Sequence, residues 1–334
     1  MELHKNKELF KEAITATAQL MNIPEIYIEK DYWVTLALQT IFTSPVSEYT
    51  VFKGGTALSK CHKLIQRFSE DIDIVVIRKP EDNGNRLTNK IKAISKLVNR
   101  IMPEVEITGI TQKMGMNRKT AHQYEHAGFT GIYGQVREHI IIEATWLGNP
   151  EPYNESVISC YIADMMQSKA QQNLINEYKL LPFSVKVLTK ERTICEKIMS
   201  LVRFSYSKNP YIDLGNKIRH IYDIHFLLKD PDVDIFFRSQ EFDKMINMVG
   251  KEDIYSFKNN NSWLESHPKD ALIYAFPEAT WEKIKTPYRT TFKDLVLGTL
   301  PAEIELIADL EKIASRLTEL HWELEVVPPD LKAV

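Results

Sequence analysis

Residues 71–77, DIDIVVI, alternate acidic and apolar side chains, and this stretch constrains the fold more tightly than any other. Side chains at i and i+2 of a β-strand leave the same face. Asp71 and Asp73 therefore share one face, while Ile72 and Ile74 enter a core on the other. Two carboxylates held that close repel one another unless a cation lies between them. Magnesium suits such a pair, being a hard ion that takes carboxylate oxygens and completes its shell with water and phosphate oxygens. Paired carboxylates with divalent metal also suit in-line attack at phosphorus.

Upstream, VFKGGTALSK (51–60) supplies the complementary half. A short apolar strand over 50–53 runs into Gly54, Gly55 and Thr56, and a helix is expected over 56–66. Glycines without side chains let a polyphosphate approach backbone N–H groups, and a helix start presents positive charge to it. Thr56 can donate its hydroxyl or cap the helix. The GxxxxGK[ST] spacing of a P-loop is absent. The combination fits a nucleoside triphosphate whose tail lies on the turn and whose metal sits on the aspartates.

The rest of the chain places these motifs in a mixed α/β half followed by a helical half. Helices are expected over 6–21, 25–42 and 86–102, with strands over 104–111, 128–134 and 138–146 and a polar loop over 148–155. From about residue 189 the pattern is mainly helical: 191–205, 216–228, 239–250 and 301–325. The division expected is a core over 1–185 and a helical domain over 186–334. No apolar run reaches the ~18 residues of a membrane span, and the charged N-terminus has no apolar leader, so a cytoplasmic protein is expected. Cys61, Cys160 and Cys195 form no CxxC pair and read as small core residues.

A net charge of −3 argues against a wholly basic nucleic-acid binder. Locally, residues 78–100 carry seven cations against Glu81 and Asp82, and 112–123 carry Lys113, Arg118 and Lys119 with no acid. Such stretches would suit a phosphate-rich acceptor, or be the solvated faces of ordinary surface elements. REHIIIEATW offers a further acid, Glu143, which shares a strand face with Ile141 inside an apolar run. An acid there needs a partner or a function.

FKGGTALSK followed by RFSEDIDIVV resembles the nucleotidyltransferase toxins of the AbiEii/MenT type. The likeness extends to IEKDYWVTLAL (28–38), ERTICEKIMSL (191–201) and RHIYDIHFLL (219–228), four ordered blocks in all. It implies a DNA-polymerase-β-like nucleotidyltransferase core, an α+β fold with a mixed sheet, and a C-terminal helical region. It further implies Mg²⁺, an NTP substrate, an RNA acceptor such as the tRNA 3′ end, a block on translation and a cognate antitoxin. Position by position, it assigns metal binding to Asp71 and Asp73, the turn to Gly54, Gly55 and Thr56, and the signature serine to Ser69. Lys197 matches a triphosphate-binding lysine and Asp223 a late catalytic aspartate.

Each assignment has a plainer counterpart. Lys197 lies beside Glu196 on a helix and could be a surface lysine, and Asp223 follows Arg219 at the spacing of a helical ion pair. Ser69 could merely brace the turn, or take a regulatory phosphate whose charge would oppose triphosphate binding. Lys53 and Arg67 flank the motifs and could balance phosphate charge or serve the fold. Two other functions remain open at this point: nucleotide transfer to a protein or small molecule, and a non-catalytic NTP- or RNA-binding module.

Overall fold

The computed structural model describes residues 1–129, 136–257 and 260–326. The chain divides into two compact units. The first comprises Met1–Lys63 and Phe68–Leu188; the second comprises Leu64–Arg67 and the chain from Thr189 onward.

In the first unit, helices α1 (Lys7–Met21) and α2 (Glu25–Phe42) precede strand β1 (Thr50–Lys53), helix α3 (Gly54–Lys60) and strand β2 (Ile72–Val76). Then come α4 (Gly84–Asn99), β3 (Glu104–Val105), β4 (Gln112–Lys113), β5 (Asn117–His122), β6 (Ile140–Thr145), β7 (Tyr153–Ile158), α5 (Tyr161–Ser168), α6 (Gln172–Glu177) and β8 (Phe183–Leu188). Among the described residues the eight strands form one mixed sheet, ordered β3-β5-β6-β2-β1-β8-β7, with β4 paired to β5. Strands β2 and β6 are parallel, as are β1 and β8. This is the mixed sheet with helices expected of the fold.

The pleat sorts the sheet's residues between its faces. Phe52, Ile72, Ile74, Val76, Ile140, Ile142, Ala144, Val185 and Val187 join a core with residues of α1, α2, α4 and α5. The other face carries a small cluster of Val51, Val75 and Leu188. Asp73 and Glu143 occupy that second face, away from the helical core, because each alternates with core residues along its strand.

Several expected boundaries shift. Helix α3 stops at Lys60 rather than 66, because Lys63 takes a left-handed conformation (φ 53°) that cannot continue it. The strand over 104–111 is only Glu104–Val105, and the loop expected over 148–155 runs to 152, after which β7 begins, drawn into the sheet by six register pairs with β8. The expected strand over 128–134 lies mostly outside the described residues. The second unit is mainly helical: α7 (Lys190–Ser205), α8 (Pro210–Asn216), α9 (Ile218–Lys229), α10 (Pro231–Phe237), α11 (Gln240–Ser256), α12 (Leu272–Ala275), α13 (Pro277–Ile284) and α14 (Glu303–Leu317). Helix α14 ends well before 325. Trp322 instead packs against Gly250, where a Cβ would overlap its ring, and its Nε1 donates to the Leu264 carbonyl at 3.0 Å.

Helix α2 is buried nearly all round and carries three successive charges, Glu29, Lys30 and Asp31, at 0%, 0% and 6% exposure. Buried charges are tolerated only when paired, and each of these has its own partner. Glu29 accepts the Ala127 N–H at 2.5 Å. Lys30 meets Glu70 at 3.3 Å and donates to the His139 carbonyl at 2.9 Å. Asp31 pairs with Lys60 of α3 and accepts the Tyr161 N–H of α5 at 2.7 Å. The EKDYW block is thus a clamp that fixes the glycine turn's helix and the residue preceding Asp71 to one central helix. Replacing Lys30 by Met is expected to cost about 3–5 kcal/mol by stranding Glu70. The double variant with Glu70→Leu should recover much of that loss, as measured by urea unfolding.

Candidate active site

Three acids gather at the head of β2. Asp73 pairs in register with Lys53 of antiparallel β1 on one side and with Glu143 of parallel β6 on the other. Asp71 sits one residue ahead of the strand, on the same side as Asp73 by its spacing. Burial first, and then the Glu143 and Asp71 carboxylates, push the Asp73 carboxyl up from 3.8 to about 7, with Lys53 and Lys119 only partly offsetting them.

The glycine turn is built against this carboxylate. Gly54 has φ +79°, the left-handed region that favours glycine, and a Cβ there would overlap Asp73 Oδ2. Thr56 clips the turn to the acidic strand. Its buried hydroxyl donates to the Asp71 carbonyl at 2.5 Å and shares a hydrogen bond with the Ser69 hydroxyl at 3.0 Å. Thr56 and Ser69 thus join the turn to the acidic strand. Gly55 follows in the first turn of α3.

The acids already have protein partners that sequence reasoning did not find. Arg137 Nη1 donates to Asp71 Oδ1 at 2.5 Å, and its backbone N–H donates to Glu70 Oε1 at 2.9 Å. Glu143 accepts Asn117 Nδ2 at 3.0 Å and lies 3.3 Å from Lys119 Nζ, both from neighbouring β5. The i, i+2 spacing of Asn117 and Lys119 was a visible signal for one shared face. Nothing local marks Arg137, sixty-six residues from Asp71.

The second unit holds its own charge cluster. Arg67 grips Asp223 with two hydrogen bonds, Nε to Oδ1 at 2.7 Å and Nη2 to Oδ2 at 2.8 Å. Lys197 Nζ donates to Oδ2 at 2.7 Å. All three are buried, at 4%, 0% and 7% exposure for Arg67, Asp223 and Lys197. Burial alone would raise the Asp223 carboxyl, but Arg67 and Lys197 outweigh it and hold it well below the usual carboxylate range. Lys197 is not a surface lysine, and Asp223 pairs with Arg67 and Lys197. His220 is driven well below its ordinary value by burial and by the nearby Lys197 and Lys217, so it stays neutral there. Arg192 of the same helix as Lys197 binds Glu252 and Glu196, which fixes α7 to α11.

The basic stretches fare differently as polyanion surfaces. Lys90 pairs with Asp82 at 2.5 Å, Lys113 with Glu106 at 2.5 Å and Glu104 at 3.2 Å, and Arg118 with Glu104 at 3.1 Å. The acids on and after β3 neutralise the cations that looked unopposed over 112–123.

Among the described residues, no group of three or more His, Cys, Asp or Glu is arranged to hold a metal ion by itself. Asp71 and Asp73 nevertheless fit a hard divalent cation that arrives with phosphate ligands. Their oxygens are the right donors, and the burial and neighbouring Glu143 and Asp71 charges that raise Asp73 are what a dication would offset.

A glycine turn closed on paired aspartates, with a third acid in register, defines a nucleotidyltransferase type of site. The sequence matches the family described as nucleotidyl transferase AbiEii toxin, type IV toxin–antitoxin system, over residues 36–309. The chain belongs to that family, and it is a nucleotidyltransferase. Among solved structures it is similar to MenT4, a nucleotidyltransferase toxin from Mycobacterium tuberculosis, at 13% identity, covering 92% of this chain and 90% of that one with a TM-score of 0.48. A search of curated proteins finds no match. No helix among the described residues is long and apolar enough to cross a membrane.

The shift on Asp73 has a definite sign. A carboxyl raised in the folded state contributes stability below pH ~4, and this is lost as pH climbs through about 7. In metal-free buffer, Asp73→Asn should therefore unfold at higher urea than wild type at pH 8 and show no such gain at pH 4. Mg²⁺ at pH 8 should raise the wild-type midpoint and leave that of Asp73→Asn nearly unmoved. In the second unit, Asp223→Asn should cost about 3–5 kcal/mol, because Arg67 and Lys197 lose the charge that separates them; chemical denaturation measures it.

Proposed function

We propose that this chain is a toxin that uses Mg²⁺ to transfer a nucleotide from an NTP to the 3′ end of an RNA, with tRNA as the acceptor, and so blocks translation. The observation that carries the reading is the placement of Asp73, in register with Glu143 and pressed against Gly54 at the start of the glycine turn. The phosphate tail is assigned to the backbone of Gly54, Gly55 and Thr56, with Lys53 at the helix N-cap. Mg²⁺ held by Asp71 and Asp73 would neutralise phosphate charge and make the α-phosphorus more open to attack.

The chain's own side chains supply position and proton transfer. The attacking 3′-hydroxyl forms a bond to the α-phosphorus as the bond to the bridging oxygen breaks, and pyrophosphate leaves with that electron pair. Glu143 is assigned to orienting the hydroxyl and taking its proton, held in place by Asn117 and Lys119. In the second unit, Lys197 is assigned to triphosphate binding. Asp223, with both oxygens engaged and its carboxyl held low, is a poor proton acceptor; we assign it to positioning Lys197 and Arg67. Catalysis on this reading is mainly positioning and charge neutralisation.

The stretch over 112–123, whose Lys113, Arg118 and Lys119 pair with Glu106, Glu104 and Glu143, presents less positive surface to a polyanion and so favours one competing acceptor, a protein or small molecule. The partner that family membership implies is a cognate antitoxin. Each of the four labelled NTPs, incubated with total tRNA and separately with fractionated lysate, separates these acceptors. Label is expected in the RNA fraction and should fall about a hundredfold or more with Asp71→Ala or Asp73→Ala. Transfer undiminished in those variants, or label confined to protein, would overturn the RNA reading.

A further inference from the structure

Arg137 is held at two levels. Its backbone N–H donates to Glu70 Oε1 at 2.9 Å, and Glu70 is itself buried at 6% exposure and paired with the fully buried Lys30 of α2. Its guanidinium reaches Asp71 Oδ1 at 2.5 Å, yet that side chain is 36% exposed and Asp71's is 27% exposed. A buried backbone anchor therefore carries a partly water-accessible cation onto one of the two aspartates assigned to the metal.

A guanidinium bonded to Asp71 Oδ1 and a divalent cation bound at the same carboxylate repel one another, so they compete for it even though the carboxylate has further lone pairs to offer. Arginine's planar fork is also well matched to phosphate oxygens, and a phosphate that arrives with the cation offers it a new partner at the moment it is displaced.

From this arrangement we propose that Arg137 is the resident counter-ion of Asp71, yielding that carboxylate to the divalent cation and transferring its guanidinium to a phosphate of the incoming nucleotide. The proposal rests on the nucleotidyl-transfer reading for the identity of the ligand. The anchor through Glu70 and Lys30 keeps the guanidinium within reach of the acids throughout, so the exchange requires only side-chain motion. The exchange couples the two ligands: the cation alone must compete with Arg137, whereas cation and nucleotide together replace one salt bridge with another. Metal binding without nucleotide is correspondingly weak in the wild type.

The test is Mn²⁺ binding to the full chain without nucleotide, followed by electron paramagnetic resonance, and NTP binding in saturating Mn²⁺, followed by calorimetry. Arg137→Gln should bind Mn²⁺ about threefold to tenfold more tightly than wild type, the effect expected on removing a partly exposed charged competitor. It should bind NTP more weakly by at least a similar factor. These opposite changes are not what a merely structural loss produces, and Arg137→Lys, which keeps the charge but not the fork, should fall between on both. Circular dichroism melting verifies that the variants fold. Unchanged or weakened Mn²⁺ affinity in both variants, or unaltered NTP affinity, overturns the proposal. Asp71→Asn separates this failure from that of the underlying reading: if it binds Mn²⁺ as well as wild type, the metal assignment itself is wrong.

Discussion

Carboxylate repulsion at the head of β2 is the constraint around which the first unit is arranged. The pleat turns Asp73 to the face away from the helical core, the parallel pairing with β6 sets Glu143 beside it, and the spacing adds Asp71. No apolar packing can relieve that clustering. The surrounding structure answers it with cations and donors at short range: Arg137 on Asp71, Lys119 and Asn117 on Glu143, and Lys53 across the ladder from Asp73. Even so, burial and the neighbouring Glu143 and Asp71 charges leave the Asp73 carboxyl raised to about 7.

The signature blocks divide between chemistry and support. Gly54 is glycine both for its backbone angle and because Asp73 fills the space of a side chain. Thr56 and Ser69 spend their hydroxyls on joining the turn to the acidic strand. In the EKDYW block, Glu29, Lys30 and Asp31 reach Ala127, Glu70, His139, Lys60 and Tyr161 from a buried helix. A motif of charged residues can thus be recognisable in sequence chiefly because it is buried, where every charge demands a particular partner.

The second unit repeats this logic with the opposite sign. There a single carboxylate, Asp223, lies between two cations that hold its carboxyl low, and its two oxygens fix Arg67 and Lys197 in direction. Arg67 is the informative residue. It stands four positions before Asp71 in sequence, yet its ion pair with Asp223 and its β-bridge to Val296 belong with the helical unit.

What the sequence determined alone was local and periodic: helix α2 over 25–42, the glycine turn, the common face of Asp71 and Asp73, and the inward-facing isoleucines around Glu143. Those follow from the two-residue repeat of a strand, the 3.6-residue repeat of a helix and the backbone freedom of glycine. Tertiary structure decided the rest. It alone set Glu143 in register with Asp73 across a long crossover, brought Arg137 to Asp71, joined Arg67 to Asp223, made β7 a strand and gave the cations over 112–123 their acidic partners. The reason is that a side chain's direction is a property of neighbouring residues, whereas its electrostatic partner is chosen by which distant segments the core brings together.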